Sequence, residues 1–95
     1  MPELIAVYDD AADVLYVALA PARLAYTDDE EEGGLYFRRD EYTDRPAGVT
    51  VDGFHELWRG RDGELSRRIA GFLAADPREV TTAILSGVAA ASEGT

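Results

Sequence analysis

The chemistry-bearing residues of this 95-residue chain fall into a few groups. The densest is His55-Glu56, with Trp58, Arg59 and Arg61 close behind. An imidazole beside a carboxylate is a pairing used for general acid–base work. Such a base also needs a group that orients it and a nucleophile to activate. Neither stands nearby in the chain. The plainer role is a packing patch, with Leu57 and Trp58 folded over a sheet edge and the charges left in water. A second group is Asp9, Asp10 and Asp13, hard oxygen donors of the kind calcium takes. The alternation and closing Glu of a calcium loop are missing, and Asp also serves turns by bonding its own backbone. The expectation is a polar turn and no specific metal.

The third group is the run Asp28, Asp29, Glu30, Glu31 and Glu32. In an extended backbone, alternate side chains point to opposite faces and cannot converge on one ion. A charge block of this kind reads as a solvated loop, and partner steering is its most natural use. Arg38, Arg39 and Arg45 invite a phosphate, but strand alternation separates the first two. Gly33-Gly34 lacks the continuation of a phosphate-binding loop. No base stands beside Ser66, Ser86 or the threonines. No catalytic residue, metal ligand or cofactor is assigned from these patterns.

Composition narrows the field further. Nineteen acids against nine bases leave a net charge of −10. That surface repels phosphate backbones and anionic lipid heads and favours a basic protein partner. A hydrophobic share of 46% is enough for one modest core. The length suits a single domain over residues 1–95. Cysteine is absent, so neither disulfides nor thiolates enter. The opening residues lack the pattern of a secretory signal. A cytoplasmic protein is expected. No apolar run approaches the ~20 residues of a membrane span.

The elements that must position these groups follow from periodicity. Residues 4–8 and 14–20 are apolar runs on either side of an acidic turn, which predicts a β-hairpin. Both faces of the second run are apolar, so it is expected to be covered on both sides. Pro21 should stop it, and 24–27 offers a further short strand. Strands are expected at 35–39 and 47–54, with 55–63 irregular. The period then changes. Leu65, Ile69, Phe72 and Leu73 fall on one helical face, predicting a helix over 64–75. Asp76-Pro77 ends it and begins another, with Glu79 in the capping-box position and Val80, Ile84 and Val88 as its stripe. Gly87 is a possible early end. The fold class is α+β: an antiparallel sheet of four or five strands over residues 4–54, then two C-terminal helices within 64–91.

The hairpin Tyr8-Asp9-Asp10-Ala11-Ala12-Asp13-Val14-Leu15-Tyr16-Val17 resembles the opening motif of a small prokaryotic family catalogued as domain of unknown function 2283. The resemblance extends over residues 4–58. It takes in the acidic segment 27–32, Gly34, the apolar stretch 35–37, the polar turn 40–44 and the strand 48–54. Arg38-Arg39 and the long polar turn depart from the pattern, and the C-terminal helices lie outside it. The resemblance implies a compact β-rich domain without an established activity. It also implies an antitoxin-like role, because some members are encoded beside small toxin-like proteins.

The expected function is therefore a non-catalytic, acidic interaction module with a basic partner. The alternative is an enzyme or ligand-binding domain with a pocket near His55, Glu56 and Arg59. A homodimer is expected as well. Two short helices cover one face of a small sheet, leaving an apolar face containing several of Leu15, Val17, Leu19 and Tyr36.

Overall fold

A computed structural model of the chain describes residues 3–20, 25–60 and 63–93. Five strands form one antiparallel sheet: β1 (Glu3–Asp9), β2 (Val14–Ala20), β3 (Ala25–Glu32), β4 (Leu35–Asp40) and β5 (Pro46–Asp52). Their spatial order is β1-β2-β5-β4-β3. Three helices follow: α1 (Phe54–Trp58), α2 (Glu64–Leu73) and α3 (Pro77–Glu93). The α+β class and the order of strands before helices match the sequence reading. The expected stop at Pro21 and the Leu24 end of the third strand lie outside the described residues.

Register explains the core. Tyr8, Leu15, Val51 and Leu35 form one row across β1, β2, β5 and β4. Ala6, Val17, Val49 and Phe37 form the next. Both rows belong to the face that α2 and α3 cover. Leu65, Ile69 and Leu73 of α2 and Val80 and Ile84 of α3 are buried against them. Each such side chain contributes roughly 1.5–3 kcal/mol on burial. Phe72 is half-buried and meets Phe37, ring centroids 4.7 Å apart. Asp76 caps α3, its carboxylate accepting from the Arg78 N–H at 2.9 Å. The Ala-rich tail carries the helix through Gly87 to Glu93.

Several expectations are corrected. The acidic run 28–32 is not a loop: its backbone belongs to β3, whose pairing with β4 shifts register between Thr27 and Glu31. The segment after β5 is not wholly irregular, because residues 54–58 form α1. The second strand is covered on one side only. The open face is not made by Leu15, Val17 and Leu19, which lie under the helices. It carries Ile5, Val7, Tyr16, Ala18, Thr50 and Tyr36, in the rows Val7–Tyr16–Thr50–Tyr36 and Ile5–Ala18–Gly48–Arg38. Both faces of a strand can be apolar when only one is buried by its own chain, so periodicity could not choose between them.

The sheet edges are guarded. Gly53 N–H donates to the Asp13 carbonyl at 3.1 Å. Antiparallel alternation from that bond turns the backbone groups of Val14, Tyr16 and Ala18 toward β1. Their partners are Asp9, Val7 and Ile5, so Leu4, Ala6 and Tyr8 direct theirs to the free edge. Helix α3 closes over that edge at Ala6. A Cβ on Gly87 would sit 2.6 Å from the Ala6 carbonyl oxygen, a spacing only glycine permits. At the other edge, the irregular register and acidic sequence of β3 discourage further strand pairing.

Candidate functional site

The hairpin turn and the start of α1 meet in a polar clasp. Asp9 shapes the turn, its Oδ1 accepting the N–H groups of Ala11 at 3.1 Å and Ala12 at 3.3 Å. Asp13 closes it in the left-handed region, with φ 55°. That backbone suits Asp and Asn better than most residues. It also aims two Asp13 groups at the β5–α1 junction. The carbonyl accepts from both Gly53 N–H and Phe54 N–H at 3.1 Å. The carboxylate accepts from His55 N–H at 3.2 and 3.3 Å. Gly53, at the N-cap of α1, has no side chain to offer. Asp13 supplies the missing capping carboxylate from another part of the chain.

The side chains complete the arrangement. His55 Nδ1 lies 2.8 Å from Asp13 Oδ1, and the Tyr8 hydroxyl donates to the same oxygen at 2.7 Å. The Tyr8 oxygen is also 3.0 Å from Nδ1. A carboxylate only accepts, so the network places a proton on Nδ1 and leaves Nε2 outside this clasp. The His55 side chain is 75% exposed. Tyr8 is buried, which pushes its phenol up to about 12, helped by the Asp13 carboxylate. The Tyr8 hydrogen bond holds Asp13 below the ordinary carboxylate value, assisted by the bonds from His55 and opposed by burial. Beneath lie rings: Tyr8 and Phe54 have centroids 5.3 Å apart, and Phe54 stacks on Trp58 at 5.5 Å.

The structure thus joins His55 to Asp13 and Tyr8, neither of which the sequence reading paired with it. The signal was available only as an Asp in a turn and a Tyr at a strand end, separated from His55 by 42 and 47 residues. Glu56 and Arg59 are exposed beside the clasp and Trp58 is half-buried. Asp28, Asp29, Glu30, Glu31 and Glu32 lie along β3, which β5 and β4 separate from β2 in the sheet order. Of the acidic trio, Asp9 caps backbone and Asp13 binds His55, so turn formation engages both. Among the described residues, no three His, Cys, Asp or Glu side chains converge as a metal site. No described helix is long and apolar enough to cross a membrane.

An open groove of about 610 Å³ runs between β1 and α3, bordered by Glu3, Leu4, Arg78, Glu79 and Ser86. None of His55, Glu56 or Arg59 lines it. A hollow beside Leu57 and Leu65 measures about 10 Å³, no more than the space of one water. The clasp can therefore orient an imidazole, but these cavities do not bring a substrate to it. Comparison with family models, curated proteins and solved structures finds no match to this chain.

Proposed function

We propose that the chain is a non-catalytic interaction module, antitoxin-like in the sense its hairpin motif implies, whose contact surface is the open face of its sheet. The observation that carries this reading is exposure: Ile5, Val7 and Tyr16 remain 46%, 57% and 41% accessible on a face that none of the described helices covers. Contiguous apolar patches on small proteins mark association sites. Acids stand at the ends of the strands that carry the patch, with Glu3, Asp9 and Asp52 all exposed. Together with the net charge of −10 they favour a basic protein at the perimeter. A reducing cytoplasm suits a chain without cysteine. The test is photo-crosslinking in the native host from a probe at position 7, with a probe at position 85 as control. A basic protein captured from 7 and not from 85, with salt-sensitive yield, supports the module. Equal labelling from both positions sinks it.

A second reading rests on the Asp13–His55 pair, which orients an imidazole as a base requires. It makes the domain a small-ligand binder or enzyme using His55 with Glu56 and Arg59. A thermal-shift screen in which one metabolite class stabilises wild type but not His55→Ala would favour it. A screen without any such class would reject it.

A further inference from the structure

We infer that the open face receives one amphipathic helix of the partner, lying along β2 with an apolar stripe against the sheet and a cation at each end. This rests on the reading of that face as the contact surface for a basic protein, and it names the part of the partner that sits there. Strand addition is discouraged at both edges, at β1 by α3 beside Ala6 and at β3 by its irregular register and acidic sequence. An extended segment needs such an edge for its main-chain groups. A helix satisfies its own main chain and brings only side chains. On the open face β2 presents Val14, Tyr16 and Ala18 in turn. Val7 and Ile5 of β1 lie on one flank of that track, and Thr50 and Gly48 of β5 on the other. None of these positions carries a charge, and Arg38 stands further out, on β4 beyond Gly48.

The dimensions suit a helix. An uncharged track three strands wide, about 10 Å, is too narrow for two globular surfaces to join through it alone, but it equals the width of one helix. Its rows lie about 7 Å apart along the strands, close to the ~6 Å between helical residues i and i+4, so anchors four residues apart fall on successive rows. Carboxylates mark both ends. Asp9 and Asp52 flank Val14 in one row, about two strand spacings or 10 Å apart, and so straddle a helix laid over it. Glu3 stands at the other end of β1, beside Ala20 and roughly 20 Å from Asp9. All three acids are exposed. A span of roughly 20 Å is about 13 helical residues. The face therefore selects a helix with Lys or Arg about 13 residues apart and an apolar stripe at every fourth position between them.

Titration of the full chain with a designed peptide tests this. The probe has about 16 residues, with Leu at every fourth position between two Arg about 13 residues apart. One control scrambles the Leu positions and another replaces both Arg by Glu. The probe should bind at micromolar strength, gain helicity on binding and loosen as salt rises. It should shift the amide resonances of residues 14–18. Each control should bind about tenfold more weakly or worse. Glu3→Gln with Asp52→Asn should weaken the probe about three- to tenfold and flatten its salt dependence. Val7→Ser should also weaken it, whereas Leu85→Ser, on the exposed side of α3, should change nothing. No binding at about 100 µM, equal binding of all three peptides, binding without helicity, or shifts centred on the groove between β1 and α3 each overturn the inference. A free chain that sediments as a dimer the probe does not dissociate gives the face to a second copy and overturns it too. If the probe fails while position 7 still crosslinks a basic protein in the native host, the contact surface stands without a helix on it. If that crosslink fails as well, the module reading falls with the helix.

Discussion

His55 Nδ1 and Asp13 Oδ1 stand 2.8 Å apart across 42 residues of sequence, and the same carboxylate receives the His55 N–H. One side chain therefore holds the imidazole and caps the helix that carries it. Asp13→Asn keeps the left-handed backbone accessible and removes the charge. It should destabilise the fold by about 1–3 kcal/mol near neutral pH, because hydrogen bonds to a charged acceptor are lost or weakened. Asp13 is held below its ordinary 3.8, so its stabilisation is present above that value and disappears as pH falls through the lower folded value. Wild type should lose stability there more steeply than Asp13→Asn, measured by urea titration at successive pH values. Parallel profiles would remove Asp13 from the acid transition.

Tyr8 shifts in the opposite sense. Its folded value of about 12 exceeds the ordinary 10.0, so its contribution is complete below pH 10 and is lost as pH rises toward 12. Tyr8→Phe should cost about 0.5–1.5 kcal/mol at neutral pH and flatten the alkaline decline. Tyrosinate absorbance should show one late-titrating phenol in wild type that the variant lacks.

Gly87 governs how closely α3 approaches β1. Gly87→Ala adds about 1 kcal/mol of helix propensity. The new methyl, however, meets a backbone carbonyl at 2.6 Å, and that oxygen cannot swing aside. Overpacking of this order costs about 1–3 kcal/mol. A net loss of thermal stability is expected, with raised hydrogen exchange along β1. A stabilised variant would show that α3 can ride outward freely.

Ser66 is a buried polar residue between α2 and α3, its hydroxyl 2.7 Å from that of Thr81. Thr81→Val strands it and should cost about 1–3 kcal/mol. Adding Ser66→Ala should recover part of that loss, since both ends of the bond are then apolar. A double-mutant cycle with zero coupling energy would show that the hydroxyls act independently.

Much of the architecture was legible locally. The hairpin follows from two apolar runs around an Asp-rich turn, and α2 from the spacing of Leu65, Ile69 and Leu73. Asp76-Pro77 marks the break to α3 because capping and proline geometry are properties of adjacent residues. Residues 28–32 misled because like charges in sequence suggest solvent, whereas strand pairing is decided by a neighbour such as β4. The short α1 was hidden for a related reason: its capping carboxylate comes from Asp13, not from its own N-cap.

What the sequence determined by itself was periodicity, turns, caps and charge, since each depends on residues within a few positions of one another. Only the tertiary structure decided which apolar face is covered, because Leu15 and Tyr16 are equally suited to burial until α2 and α3 choose a side. It alone brought Tyr8, Asp13 and His55 together, because hydrogen bonds act over about 3 Å in space and take no account of distance along the chain.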